Sequence, residues 1–487
     1  MIFNSLDFGI FLPIVFILYW FVFQKHLKAQ NALIALASYL FYGWWDWRFL
    51  SLIIFSSVID YVIGLRLQKT DLKHQRKLLL WTSVFVNLGF LGFFKYFNFF
   101  IDNFVEAFSF FGYQIPNTSL NIILPVGISF YTFQTLSYTI DVYRKQLKPT
   151  KDFIAFTAFV SFFPQLVAGP IERATNLLPQ FYKKREFDYA NAVLGMRQIL
   201  WGLFKKVVIA DNCARLANEI FNNSADYGGT TLILGALMFT FQIYGDFSGY
   251  SDIAIGTSRL FGFKLMKNFA FPYFSRDIAE FWRRWHISLS TWFRDYLYIP
   301  LGGSRGGTVM KVRNTFIIFV VSGFWHGANW TFIVWGALNA IYFLPLLLRN
   351  KNRVHTGEIA ENRLFPSFIE LKGMLVTFSL TVLAWVFFRA ENISHAVQYL
   401  YDLFLGIGSY KNIFITYNLL KDFNLTLLLI LILFVCVEWF GRKQEFALEK
   451  MNRISGRPFR WLAYFSIILI IGIFMPTEET PFIYFQF

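Results

Sequence analysis

Apolar runs long enough to cross a hydrocarbon layer of about 30 Å recur from one end of this chain to the other. Backbone N–H and C=O groups inside lipid must find partners within protein, so runs of this kind fold as helices. A membrane β-barrel instead needs short strands alternating in polarity, and these runs are continuously apolar. Of the 487 residues, 56% are hydrophobic and 15% charged, whereas a soluble domain carries about 25% charged residues. The chain therefore reads as an all-α polytopic membrane protein. Spans are expected near 8–23, 31–47, 49–65, 78–100, 121–141, 192–213, 230–245, 331–348, 372–388, 424–440 and 460–475, and also at 314–330. That amounts to about 11–12 transmembrane helices in a single membrane domain over 1–487, with a core motif region at 124–345 and C-terminal helices at 372–475.

A net charge of +15 in a soluble protein would suggest nucleic acid. Here Lys and Arg gather in the connections and set topology, so no nucleic-acid partner is implied. The basic connections around Lys25, Arg66 to Lys77, Arg144 to Lys151, Lys183 to Arg185, Lys264 to Arg313, Arg349 to Arg353 and Arg442 to Arg460 are expected on the cytoplasmic side. Segments 102–120, 214–229 and 476–487, the last with Glu478 and Glu479, are poor in Lys and Arg and are expected on the far side. The N-terminus lacks a basic n-region and a small-residue cleavage site, and is expected to be a retained span. Cys213 and Cys436 lie far apart in apolar segments and are expected to be small buried hydrophobes. No HExxH or CxxC spacing points to a metal.

Two regions do not read as simple spans. Segment 153–172 is apolar but interrupted by Pro164, Gly169 and Pro170, which predicts a broken or re-entrant helix. Segment 246–313 is long, aromatic and irregular. Within it, Asp277 followed by Glu280 predicts a capping box, and Phe281, Trp285, Trp292 and Tyr296 are placed near one face of an interfacial helix ended by Pro300. The following GGSRGG is a flexible turn that either lets backbone amides approach an anionic group or only reverses the chain.

These regions hold the chemical candidates. A histidine at membrane depth is costly unless it is hydrogen-bonded or works in a water-reachable cavity. His286 and His326 each stand among aromatic residues, in FWRRWHISLSTWF and VVSGFWHGANWTF. His326 is either a catalytic group or a structural hydrogen-bond donor between helices, and His286 is either a base or acceptor or a histidine near an interface helix that hydrogen-bonds water or backbone. If 314–348 is helical about its centre, Ser322, His326 and Asn329 or Trp330 share a face, and Gly323 and Gly327 form a GxxxG step for close packing. Arg283 and Arg284 are expected to disfavour protonation of His286. Tyr244, Asp246 and Asp252 sit at the edge of a span, where Asp246 or Asp252 is placed to orient a histidine or a hydroxyl; a helix cap or a surface residue is the alternative. Trp325 is either a passage-lining residue or a packing anchor.

The chain resembles bacterial membrane-bound O-acyltransferases of the alginate O-acetyltransferase membrane-subunit type. The resemblance runs nearly end to end through LPVGISFYTFQTLSYTIDVYR (124–144), FFPQLVAGPIER (162–173), YGDFSGYSDIAIG (244–256), FWRRWHISLSTWFRDYLYIPLGG (281–303), FWHGANWTFIVWGALNA (324–340) and FIYFQF (482–487). It implies that His326 is the signature catalytic histidine and His286 the second characteristic polar position. It also implies re-entrant or interfacial helices around a central passage where a cytoplasmic donor meets an acceptor from the other side. The implied donor is an acyl thioester such as acetyl-coenzyme A, with Arg283, Arg284 or Arg305 holding its anionic part and Asn329, Ser322 or Tyr244 giving hydrogen bonds. The implied partners are membrane lipids, an extracytoplasmic SGNH-type acyltransferase and exopolysaccharide machinery at a bacterial inner membrane. D-alanyl or lipid transfer is the alternative within the family. A polysaccharide-related transporter is the rival from another class, since broken helices and midplane polar residues are also transporter traits; a scaffold of an export complex is a third reading.

Overall fold

The computed structural model describes residues 1–112, 116, 119–406, 410–423, 425–453, 456–476 and 482–483. The expected far-side residues Glu478 and Glu479 lie outside that range. Among the described residues every regular element is helical. Four stretches of the described residues are long and apolar enough to cross a membrane, Leu27–Lys69, Lys73–Phe110, Trp330–Leu348 and Phe368–Arg389, and the bent pair Asn412–Lys421 with Thr426–Gly441 makes up to five. The polytopic, all-α reading is borne out. Some of the other apolar runs fold as shorter or interrupted helices, and others, such as 230–245 within the long helix Gly229–Leu260, lie in helices that are not apolar enough, so among the described residues length and composition count fewer crossings than the about 11–12 expected from runs alone. Residues 121–141, for example, are helical only from Ile128, in Ile128–Tyr143.

The chain forms two compact units, Met1–Gly195 with Ala254–Met266, and Met196–Ile253 with Lys267–Phe487. In the first, the helices Leu50–Lys69, Lys73–Leu91 and Ile128–Tyr143 pack together around a buried carboxylate. Asp60 accepts from Ser83, Thr139 and Asn87, and the Asn87 carbonyl accepts from Ser56 and Thr135. The polar residues of these apolar helices thus bond to one another, as lipid requires.

The same unit contains the interruption expected at 153–172. Phe153–Ser161 is capped by Asp152, whose side chain accepts from Ala155 N, and Phe163–Leu166 starts anew with Pro in its first turn. The freed backbone is not left bare. Phe163 N donates to Ser38 Oγ at 3.0 Å and the Phe159 carbonyl accepts from Gln134 Nε2 at 2.6 Å. Phe156, Phe159, Phe162 and Phe163 are fully buried around it.

The second unit includes the helix Gly229–Leu260 as far as Ile253. Here the sequence expectation fails, because residues 246–260 continue the helix and are not irregular. Their polar side chains suggest the end of a span, but they face buried partners. Lys206 Nζ lies 2.8 Å from Asp211 Oδ1 and 2.9 Å from Asp246 Oδ1, and Lys205 pairs with Asp252, which also accepts from Gln198. Both lysines stand on a wide π turn, Phe204–Ala210, buried throughout. Gly202 and Gly249 let the two backbones touch, since a Cβ on either would meet the other's carbonyl oxygen. Of the two cysteines, Cys213 is buried as expected, whereas Cys436 is exposed on its helix.

Candidate active site

Both histidines stand where a helix stops, and local sequence explains each stop. The helix Ile278–Arg284 begins at Asp277, whose Oδ1 accepts from Glu280 N at 2.7 Å. The reciprocal half of the expected capping box is absent, because the Glu280 carboxylate accepts instead from Arg276 N and from the guanidinium groups of Arg276 and Arg284. The helix ends at Trp285, which is extended, and His286 takes the left-handed conformation with φ 44° and ψ 54°. A side chain other than glycine in that region costs about 1–3 kcal/mol, and such strain persists where surroundings over-determine it. A second short helix, Ile287–Phe293, then starts in a new direction. Phe281, Trp285, Trp292 and Tyr296 consequently do not share one helical face, as the sequence had suggested.

His286 is 1% exposed. Its Nδ1 lies 3.0 Å from Asn268 Oδ1, which also accepts from Ser288 Oγ at 2.9 Å, while Asn268 Nδ2 donates to Ser251 Oγ at 3.0 Å. An amide oxygen only accepts, so Nδ1 carries the proton in this bond. His286 Nε2 is buried with no hydrogen-bond partner among the described residues. At this junction between short helices the imidazole is held neutral, but the cause differs from expectation. Burial pushes its pKa down to about 3. The neighbouring guanidinium groups are turned elsewhere: Arg283 donates to the carbonyls of Asn352 and His355 at 2.8 and 2.7 Å, and Arg284 to Glu280 and the carbonyls of Ala270 and Gly357.

His326 is the last residue of Gly307–His326 and is 3% exposed. Gly327 is extended, and Asn329 caps the next helix, Trp330–Leu348, by accepting from Thr331 N at 3.0 Å. Ser322 and His326 therefore share a helix as expected, but Asn329 belongs to the turn, and its Nδ2 donates to the Glu391 carbonyl at 2.8 Å. The small residues do allow close packing. A Cβ on Gly323 would collide with the Phe332 carbonyl, one on Gly327 with the Phe332 ring, and one on Gly336 with the Phe319 carbonyl. The two helices form a tight hairpin whose turn fixes His326.

The rings of His286 and His326 meet with centroids 6.3 Å apart. One atom hydrogen-bonded to both at about 2.8 Å fits that separation. Aromatic side chains enclose the pair. Trp325 lies 4.9 Å from His326 and 6.1 Å from His286, Phe247 packs 4.6 Å from His286, and Trp335 and Phe388 pack 5.2 and 5.4 Å from His326. Such walls exclude water and strengthen every electrostatic interaction inside.

The remaining candidates are placed differently. The Tyr244 hydroxyl donates to Glu438, and Asp246 accepts from Lys206 and from Ile483 N. Ser322 is half-buried, and Arg305 is exposed on the glycine-rich turn. Asn268, Trp335 and Phe388 went unnoticed in the sequence. A single Asn in a connection, 18 residues from its histidine, carries no pattern that periodicity or motif reading detects.

The profile of the membrane-bound O-acyltransferase family matches residues 40–353. The chain is 42% identical to the probable alginate O-acetylase AlgI of Pseudomonas aeruginosa over 84% of its own length and 76% of that protein. It is 37% identical to the probable alginate O-acetylase AlgI of Pseudomonas putida over 100% of both chains. It is 38% identical to the peptidoglycan O-acetyltransferase of Helicobacter pylori over 80% of this chain and 77% of that one. With its buried histidine pair set in a polytopic helical protein, the chain belongs to the membrane-bound O-acyltransferase family and is an O-acyltransferase.

Proposed function

We propose that this protein transfers an acetyl group from a cytoplasmic acyl thioester, acetyl-coenzyme A, for O-acetylation of an exported cell-envelope polysaccharide such as an alginate-like polymer. The observation that carries the chemistry is the buried pair His286 and His326 at 6.3 Å. His326 takes the proton from the attacking hydroxyl as its oxygen bonds to the thioester carbonyl. The tetrahedral intermediate collapses, the carbon–sulfur bond breaks, and the proton leaves with the thiolate as free thiol. Neutral His286 offers Nε2 as a second acceptor at the same centre.

The relatives' acceptors, alginate and peptidoglycan by name, support a polymer as the final destination. An extracytoplasmic SGNH-type acyltransferase and exopolysaccharide machinery then complete the pathway at a bacterial inner membrane. Arg305 is the arginine with its side chain exposed near a turn suited to the donor's phosphates; Arg283 and Arg284 hold backbone carbonyls and serve the site by fixing its floor. One observation favours a second reading. An apolar cleft of about 230 Å³, lined by Phe241, Tyr244, Met374, Phe378, Phe434 and Glu438, would accept a lipid chain.

Radiolabelled acetyl-coenzyme A supplied to inside-out vesicles tests the proposal. Label in polysaccharide supports it, label in extractable lipid supports the second reading, and transfer from a D-alanyl carrier alone would replace both.

A further inference from the structure

We propose that Asn268 is a positioning residue for acyl transfer: its side-chain oxygen holds the Nδ1–H of His286 and so presents Nε2 as a bare acceptor inside the aromatic enclosure. The inference rests on the reading of His286 as part of the acyl-transfer centre. It goes beyond that reading by assigning the group that selects which of its two nitrogens works.

Neutral imidazole has two tautomers, and which one is present is set by what the other nitrogen bonds. Asn268 is 0% exposed and His286 is 1% exposed, so water does not compete for either. The amide cannot turn over freely. Its oxygen takes Nδ1 of His286 at 3.0 Å, Ser288 Oγ at 2.9 Å and Ser288 N at 3.4 Å, and its nitrogen donates to Ser251 Oγ at 3.0 Å. Reversal would set the amide N–H against the Ser288 N–H. The Ile287 N–H bond to the Asn268 backbone carbonyl, at 2.9 Å, ties the two segments together a second time. This double tie also accounts for the left-handed backbone of His286, which turns the ring back toward Asn268 and away from the helix that follows. Nε2, on the other side of the ring, is buried and unmatched among the described residues. A buried acceptor without a donor is costly, and its retention calls for an explanation. A hydroxyl or imidazole N–H arriving during reaction supplies the missing donor.

The titratable group facing His286 is His326, 6.3 Å away on its own helix. Of the charged groups on adjoining elements, Arg284 pairs with Glu280 and Asp246 with Lys206, while Lys267, next to Asn268 in the chain, donates to the Gln444 carbonyl.

Two measurements test the inference. In the first, protein carrying ¹⁵N-histidine is examined by solid-state NMR, with His286 identified by comparison with His286→Gln. The expected result is a protonated Nδ1 and a bare Nε2; a proton on Nε2 overturns the proposal. In the second, pH profiles of acetyl transfer are compared for the native protein, Asn268→Ala and Asn268→Asp. An aspartate keeps the acceptor for His286, and Ser251 can turn its hydroxyl to donate to it. Its charge favours imidazolium, so in Asn268→Asp the His286 ring takes up its second proton at a pH higher by about 1 unit or more, read from the same ¹⁵N signals, and transfer is retained where the ring is neutral. Asn268→Ala loses about 10-fold or more at every pH. A His286 titration that does not move in Asn268→Asp, or full activity in Asn268→Ala, overturns the proposal. If the native protein transfers no acetyl, the functional reading falls, while the NMR tautomer still decides the role of Asn268.

Discussion

The His286 and His326 rings lie 6.3 Å apart, although one closes a tight kink between two short helices and the other ends a long one. Each position depends on a chain break, and the breaks are held by polar contacts that the sequence only partly advertises.

The hairpin that carries His326 has no space for added volume at Gly323, where a Cβ meets the Phe332 carbonyl. Gly323→Ala is expected to cost about 1–3 kcal/mol through overpacking and to reduce acetyl transfer together with thermal stability. Thermal unfolding in detergent beside a transfer assay checks this. Gly9, with nothing near its Cβ position, serves as the neutral comparison.

Glu280 joins Arg276 and Arg284 beneath the kink. Burial alone would push its carboxyl up, but hydrogen bonds from Arg276 and the charge of Arg284 hold it below the ordinary carboxylate value. A depressed folded-state pKa gives stability that is present above the unfolded value of about 4.3 and is lost as pH falls through the folded one. Glu280→Ala is expected to cost about 3–5 kcal/mol at neutral pH, because two partly buried guanidinium groups lose their counter-charge. The midpoint of unfolding should therefore fall more steeply with acid in the native protein than in the variant.

Lys206 bridges Asp211 and Asp246, both buried. Lys206→Met leaves two carboxylates without their cation and is expected to destabilise by about 3–5 kcal/mol. Adding Asp246→Asn should recover part of that loss, since neighbours sharing one ion pair are not additive. A double-mutant cycle on melting temperature measures the coupling, and simple additivity would contradict a shared network.

Much of this was legible from residues. Apolar runs and their basic connections pointed to an all-helical membrane protein, and Pro164 marked a break whose freed Phe163 N–H found Ser38. FWHG and RRWHIS supplied both histidines. Other features depended on contacts far apart in sequence. Asp246 and Asp252 suggested the end of a span because hydropathy cannot know that Lys205 and Lys206 wait inside. The break at Gly327 escaped notice because glycine within an apolar run also suits a packed helix, and only the Asn329 cap distinguishes the two. The kink at His286 followed no turn signal, since its left-handed backbone is held by Asn268 and not by local propensity.

The most direct test of the account is acetyl transfer from acetyl-coenzyme A to envelope polysaccharide by native protein, His326→Ala and His286→Ala, each reconstituted at equal amount and with native melting behaviour. The account predicts a loss of about 10²-fold or more in His326→Ala, the range over which a positioned base contributes, and a substantial loss in His286→Ala. Transfer by His326→Ala at the native rate would contradict catalysis at the buried pair.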